Sequence, residues 1–511
     1  MGFVVSMVRR FTNAVGRHPD LAAVSLIGVV ALVIRLAFLY RVPVILTGDS
    51  ESHFLPGYDL IFGDQFDPEL RRPPGYAFFV AGVIAVLGED LRGLAFAQHL
   101  LGVGLALLTY TLGRVTFGRA AGLLAGLLVA FNGALILSGQ SVMTETLFTF
   151  LLLATLLMLL LAGKRASWPW ALAGGLLLGI SSLTRPVAQA LVLLVPLAFL
   201  LYSQPGHRIW PVVRGSVIVG LGFALVLVPW MLRNLSEHGT LSAAGGLGRS
   251  MTARTIKYDE GFFDQAKPVI EGDFKSEVRS FIRGKRNTIR SSRSVRSTQA
   301  GLMKEYGLTQ AQSDRIMREV ATDVILENPT YYAIGSLKMA WQIVLGKEKE
   351  DTYSDRWVMR SSKDWVEQWE TRVDHLLGPS TIAEQRSVET AQWLTNLFQP
   401  AVVGPILPLL AALGLILSVA VSAVRPALLP GLAGLGILLA SAALDGPVPR
   451  YRYPLDPLIA FLAAGALTVT VGWLLATVRR SRQQASDVRP ARAAPSAVSA
   501  SSAAPVAEAT R

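Results

Sequence analysis

Long apolar runs, rather than an amphipathic or alternating period, organise this chain. Leu21 to Tyr40, Leu94 to Leu112, Ala120 to Leu137 and Thr146 to Ala162 carry almost no charge over the roughly 17 to 25 residues a membrane-crossing helix needs. The pattern predicts an all-α polytopic membrane protein of about ten spans, at 21–40, 94–112, 119–137, 146–163, 168–184, 188–202, 214–232, 400–422, 428–444 and 455–476. The run Pro74 to Gly88 is shorter and opens on Pro73-Pro74-Gly75, so it reads as either a crossing or a juxtamembrane helix.

Charge decides between them. Arg9, Arg10, Arg17 and His18 precede the first run and no small-residue cleavage site follows it, so this helix is expected to be retained with its N-terminus in the cytoplasm. If Pro74 to Gly88 does not cross, the basic segments 113–119, 164–165, 207–214, Arg425 and 479–482 all fall on the cytoplasmic side. The acidic loop with Asp49, Glu51, Asp59, Asp64, Asp67 and Glu69 follows the first helix and lies outside, whereas a crossing at Pro74 to Gly88 would invert every one of the basic segments.

Four domains follow. Residues 1–232 form a transmembrane module with a first outer loop at 41–92, 233–399 a mostly helical extracytoplasmic domain, 400–478 the C-terminal transmembrane helices, and 479–511 a disordered cytoplasmic tail rich in Ala, Ser, Pro and Arg. Within the polar domain, Ile316, Val320, Val324 and Ile325 have helical spacing and Asn328-Pro329 ends that helix. Tyr331 to Leu345, with Lys338 in its middle, reads as an interfacial helix.

Of the 511 residues 51% are hydrophobic and 16% charged, which agrees with a membrane protein. The net charge of +12 flanks apolar runs and has no aromatic-interleaved basic stripe, so no nucleic-acid partner is expected. The absence of cysteine excludes disulfides, thiolate metal sites and cysteine nucleophiles. Any catalysis rests on carboxylates, histidine, hydroxyls or arginine.

The expected topology gathers the short polar motifs on one face: Gly48-Asp49-Ser50-Glu51, Arg71-Arg72-Pro73-Pro74-Gly75-Tyr76, Glu89-Asp90-Leu91-Arg92, Met143-Thr144-Glu145, Leu183-Thr184-Arg185-Pro186, Pro229-Trp230-Met231-Leu232-Arg233-Asn234 and Pro449-Arg450-Tyr451-Arg452-Tyr453-Pro454. Each arginine alone reads equally well as an interfacial anchor, but the set reads as a site. Guanidinium forks bind phosphate oxygens and stabilise charge on a phosphate leaving group, and a carboxylate opposite them deprotonates an attacking hydroxyl. That chemistry fits a lipid-linked phosphate substrate.

These motifs, in this order, resemble the GT-C glycosyltransferases, over residues 20 to about 240 and 400–475. Within that fold they are most similar to the bacterial branch related to protein mannosyltransferases and to the aminoarabinose and lipopolysaccharide-core transferases. The resemblance implies transfer of a sugar from a polyprenyl-phosphate donor to an envelope glycan, lipid or protein at the outer face of the cytoplasmic membrane. It makes Asp49 the catalytic base, with Glu51 as the fallback, and assigns the donor phosphate to Arg71, Arg72, Arg92, Arg185, Arg233, Arg450 and Arg452. Glu145 takes the second acidic position, which helps shape the acceptor or metal site, and Tyr76 is grouped with it. Many relatives have Tyr four residues after the Asp; here His53 stands there, either a base or ligand or a plain substitution.

No cofactor is expected, although Asp49, Glu51, His53 and Glu145 would offer an oxygen-rich divalent-metal site. Gly245-Gly246-x-Gly248 has no preceding strand and no Lys in P-loop register, so it reads as a turn rather than a phosphate loop. The rival class is a transporter or flippase of lipid-linked sugars, which predicts helices broken at mid-bilayer and inverted repeats. Neither is apparent. A structural assembly subunit would leave the outer-face arginines unexplained.

Overall fold

The computed structural model describes residues 18–63, 66, 68, 70–202, 209–258, 262, 269–270, 272–285, 292–345, 371–377, 405–446 and 448–487. Asp64, Asp67, Glu69, His207, Arg208, the arginines before residue 18 and the tail beyond Asp487 lie outside the described residues. The described part is helical, and its β structure is one isolated bridge between Ile45 and Ser141.

Helix α1 (Pro19–Arg41) is followed by two short helices, α2 (Ser50–Phe62) and α3 (Gly75–Leu87). Thirteen residues give α3 a length of about 20 Å, against about 30 Å of hydrocarbon, so α3 is too short to cross. Asp90 caps α4 (Leu91–Thr116) by accepting the Arg92 N–H at 2.8 Å. Next come α5 (Arg119–Ala130) and α6 (Gly133–Gln140), a pair bent by 50° where Asn132 caps the second helix. Then follow α7 (Glu145–Arg165), α8 (Trp168–Thr184), a 3-10 stretch Pro186–Leu194 leading into α9 (Val195–Leu200), and α10 (Trp210–His238).

The polar segment folds into α11 (Leu247–Ala253), α12 (Phe274–Gly284), α13 (Ser292–Tyr306), α14 (Gln310–Glu327) and α15 (Pro329–Leu345). A capping box between Thr309 and Gln312 starts α14, and α15 begins at Pro329, after the break expected there. The chain closes with α16 (Ile406–Ala420), α17 (Leu428–Leu444) and α18 (Asp456–Asp487).

This is a multi-pass membrane protein. Six helical stretches are long and apolar enough to cross, at Pro19–Arg41, Leu91–Thr116, Glu145–Arg165, Trp210–His238, Ser422–Leu444 and Asp456–Gln484; the bent pair α5–α6 makes a seventh. The remaining expected spans, at 168–184, 188–202 and 400–422, are realised as shorter or broken helices, so the expected count of ten is not reproduced among the described residues. Proline at 186 and 196 breaks the second of these.

The described residues up to Leu467 form one compact unit and those from Thr468 to Asp487 a second. In the second, helix continues to Asp487, past the boundary expected at 478, because Arg479, Arg480, Arg482, Gln483 and Gln484 are all good helix formers. In the first, α7 is the central post, with 78% of its apolar window buried against 22% for α10 at the perimeter. Phe148, Leu152, Leu156 and Leu160 of α7 join Ile27, Ala31, Leu105, Ala106 and Val129 in the bundle core. Small residues let the helices close up, as in other membrane bundles. A Cβ on Gly175 would lie 2.2 Å from the Val219 carbonyl oxygen, and one on Gly113 would lie 2.8 Å from Gly122 Cα.

Smaller cores sit beside this bundle. Val44, Phe54, Tyr58, Tyr76, Val80 and Ile84 bind α2 and α3 to the bundle, and Val278, Ile282, Leu302, Met317, Val320 and Val324 hold α12 to α14 together. Hydrophobic burial fixes the scaffold, so the polar loop ends are left to meet one another.

Candidate active site

The loop after α1 and the loop after α6 lie side by side. Ile45 N–H donates to the Gln140 carbonyl at 3.0 Å and Val142 N–H to the Ile45 carbonyl at 3.1 Å. This pairing carries Asp49, at the start of α2, to the neighbourhood of Glu145, the first residue of α7. A second pin is Gly75: a Cβ there would lie 2.7 Å from both the Leu183 carbonyl oxygen and Thr184 Oγ1. Glycine allows the start of α3, just after Arg71 and Arg72, to lie against the end of α8, where Arg185 follows. The third is Asp456, which accepts Arg452 Nε at 2.8 Å and Asn132 Nδ2 at 3.1 Å and so ties the Arg450 loop to the α5–α6 bend.

The result is a continuous charge array. Arg72 Nη2 lies 2.6 Å from Asp49 Oδ1 and Arg450 Nη2 lies 2.9 Å from Asp49 Oδ2. Arg450 Nε is also 3.7 Å from Glu145 Oε1, which has Arg185 Nη1 at 2.9 Å. Arg450 is therefore the shared counter-ion of two carboxylates. Arg72 Nε donates to Ser52 Oγ at 3.1 Å, and the Arg185 guanidinium stacks over Phe148 and Tyr451 at 5.7 and 5.4 Å from the ring centres. The Tyr451 hydroxyl donates to Asp445.

Burial pushes the Asp49 carboxyl upward, but Arg450 and then Arg72 outweigh it and hold the group well below the usual carboxylate range. Burial lowers Arg450, yet Asp49 and Glu145 hold it above the ordinary arginine value. Burial and then Arg72 keep the His53 imidazole well below its usual range, despite Asp49, so it is neutral near pH 7. Its ring packs edge-on against Tyr76 with 5.8 Å between centres. Glu145 is 2% exposed, and among the described residues no donor is aligned to hydrogen-bond either of its oxygens, although two guanidinium groups neutralise it. A buried carboxylate with open acceptor capacity is poised for a hydroxyl.

These groups face a cavity of about 2010 Å³. It is lined by Asp49, Glu51, His53, Arg71, Arg72, Glu145, Arg185 and Arg450, so most of the sequence candidates come together. Four do not line it. Arg92 is exposed at the start of α4. Arg233 is held by Asn234 and His238 at 3.3 and 3.2 Å and stacks on Trp230. Arg452 is committed to Asp456, and buried Tyr76 donates to Gln98 at 3.1 Å. In each case helix phase or a nearer partner turns the side chain away.

Sequence reasoning missed the residues supplied by the polar segment, among them Arg249, Arg315, Arg318 and Lys338. Arg315 and Arg318 are one helical turn apart, which was the available signal. The glycine run forms a fixed turn: Gly245 N–H donates to the Leu70 carbonyl at 2.8 Å, Gly246 has φ +95°, and a Cβ on Gly248 would meet the Asp314 carbonyl oxygen at 1.9 Å. Among the described residues no three His, Asp or Glu side chains gather closely enough to hold a metal ion.

An all-helical membrane fold with carboxylates and arginines at its loop ends is similar to the GT-C membrane enzymes. Residues 71–232 match the family model of the dolichyl-phosphate-mannose-protein mannosyltransferases, which bears out the resemblance drawn from the motifs and does not favour the transporter alternative. Among solved structures, the oligosaccharyltransferase AglB from Archaeoglobus fulgidus, in complex with an inhibitory peptide and a dolichol-phosphate, is similar at 14% identity with a TM-score of 0.46. The match covers 94% of this chain and 53% of that one. ArnT from Cupriavidus metallidurans bound to undecaprenyl phosphate is similar at 14% identity with a TM-score of 0.37, over 87% of this chain and 77% of that one. The chain thus spans about half the length of the oligosaccharyltransferase. No curated protein sequence matches it significantly.

Proposed function

We propose that the protein transfers a sugar from a polyprenyl-monophosphate carrier to a hydroxyl of an envelope acceptor, in a cavity at the outer face of the cytoplasmic membrane. The observation that carries this reading is Asp49 held between Arg72 and Arg450, with Arg450 shared by Glu145. The family matched over 71–232 is described by a sugar on a lipid monophosphate, which agrees with an arginine-lined cavity. The outward placement is supported by the opposite end of the bundle, where Arg114 and Arg119 meet Asp20 at the start of α1, about 32 Å along that helix from Arg41.

In the arrangement described, Asp49 is a weak base because two guanidinium groups stabilise its charge. A donor phosphate competes for those same forks, and its negative charge raises the basicity of Asp49. The acceptor oxygen then attacks the sugar's anomeric carbon, its proton passes to Asp49, and the bond from that carbon to the phosphate oxygen breaks. The electron pair leaves on phosphate, where Arg72 and Arg450 stabilise it. Glu145, with its open oxygens, accepts a hydrogen bond from a sugar or acceptor hydroxyl. Donor binding thus arms the base.

The test is Asp49→Asn in membranes supplied with a polyprenyl-phosphate sugar. Transfer is expected to fall by about 10²- to 10⁴-fold with donor binding retained. Normal turnover by this variant would sink the base assignment, and persistent wild-type transfer in detergent, where no compartments exist, separates an enzyme from a flippase.

A further inference from the structure

The outer wall of the cavity carries a second set of charges that the transfer step leaves unused. Arg249 on α11, Arg296 on α13, Arg315 and Arg318 on α14 and Lys338 on α15 all line it. Among the described residues, Asp314 is the acid this segment contributes to the lining, and it accepts the backbone N–H of Arg249 at 3.1 Å. Arg315 pairs with Glu319 one turn away at 3.1 Å, an exposed contact that a stronger anion readily displaces.

This wall is continuous with the donor site. A Cβ on Gly246 would lie 3.3 Å from Arg71 Cγ and 3.8 Å from Arg249 Nη2, so the two arginines flank one glycine. Burial, then Arg296 and then Arg72, lowers Arg249 below the usual arginine range, while Asp314 and Asp49 oppose the shift. Like charges are therefore crowded together in a partly desolvated space, an arrangement that an anion relieves.

We infer that this wall is an anion subsite for the acceptor, whose negatively charged groups, phosphates or carboxylates, lie along α14 and α15 while its hydroxyl reaches Asp49. The inference rests on the transfer reading above. Five cations from four helices exceed what the charge of one additional phosphate, about two at most, can neutralise, so an extended acceptor fits better than a second phosphate on the donor.

Two measurements on the full-length protein in detergent test it. The first needs no turnover: sodium tripolyphosphate is titrated calorimetrically into wild type and Arg315→Gln/Arg318→Gln, and the dissociation constant is expected to rise at least about tenfold in the variant. Equal affinities overturn the subsite. In the second, envelope acceptors are separated on an anion exchanger and offered with a polyprenyl-phosphate sugar. Label is expected in the retained fraction, and the variant is expected to raise the acceptor KM about tenfold while the donor KM stays put.

Label confined to the unretained fraction overturns the inference. So does a rise in donor KM instead, which would assign the cluster to the donor. If tripolyphosphate binds as expected but the wild type transfers nothing, the transfer reading fails and the acceptor role falls with it, whereas the anion site itself stands.

Discussion

The two walls of the cavity handle charge in opposite ways. On the bundle side, short loops between packed helices hold Asp49 and Glu145 against Arg72, Arg185 and Arg450, and Arg450 serves both carboxylates. On the outer side, Arg249, Arg296, Arg315, Arg318 and Lys338 come from four helices with Asp314 among them. Balanced charge on rigid loops suits bond making, where a displacement of 1 Å is costly. Excess charge on exposed helices suits capture and orientation of a large anion. The proposed transfer and the proposed acceptor capture thus fall on different scaffolds.

The comparison breaks if the balanced wall tolerates change. Arg450→Lys keeps one charge but loses the fork that reaches two carboxylates, so kcat is expected to fall by about 10²-fold or more, measured with saturating donor. A pH profile sharpens the same point. The proposed base, Asp49, must be deprotonated, and in the free protein Arg450 and Arg72 hold it well below the usual carboxylate range. Activity is therefore lost as pH falls, and the acid limb of kcat/KM for the donor is expected to lie at lower pH than the limb of kcat, because bound phosphate draws charge from the arginines. Coincident limbs would show that donor binding does not arm Asp49.

A smaller effect is expected from Gly75→Ala. The added methyl meets Leu183 and Thr184 at 2.7 Å, so overpacking of about 1–3 kcal/mol is expected as a lowered Tm, with transfer reduced because Arg72 shifts. An unchanged Tm would remove Gly75 as the pin. The smallest is Arg92→Ala: the side chain is exposed and outside the cavity, and the cap uses its backbone N–H, so stability and transfer are expected to stay within about 0.5 kcal/mol. A large loss there would return Arg92 to the donor site.

Much of the bundle-side wall was legible in the chain. Asp49, Arg72, Glu145, Arg185 and Arg450 stand at the ends of apolar runs, where a charge beside hydrocarbon is expensive unless it has a use. Their partners were not legible. Arg452 and Arg450 are separated by one residue, yet one is spent on Asp456 and the other bridges Asp49 and Glu145, because the 3-10 turn at Pro449–Arg452 sends the side chains in different directions. The outer wall was invisible for another reason. Its cations are spread over about ninety positions of polar sequence in which a solvated helix face and a cavity wall look alike.

The sequence by itself determined the class of solvent, the all-helical architecture and the ends of the bundle where charge collects. These depend on local quantities: the length of an apolar run, the bias of flanking arginines and the breaks made by proline and glycine. Only the tertiary structure decided which arginine meets which carboxylate, that α3 stops at about 20 Å, and that α11, α13, α14 and α15 line the cavity. Those outcomes depend on packing between residues as far apart as Asp49 and Arg450, where a bridge between two backbones or the missing Cβ of one glycine sets the distance that chemistry requires.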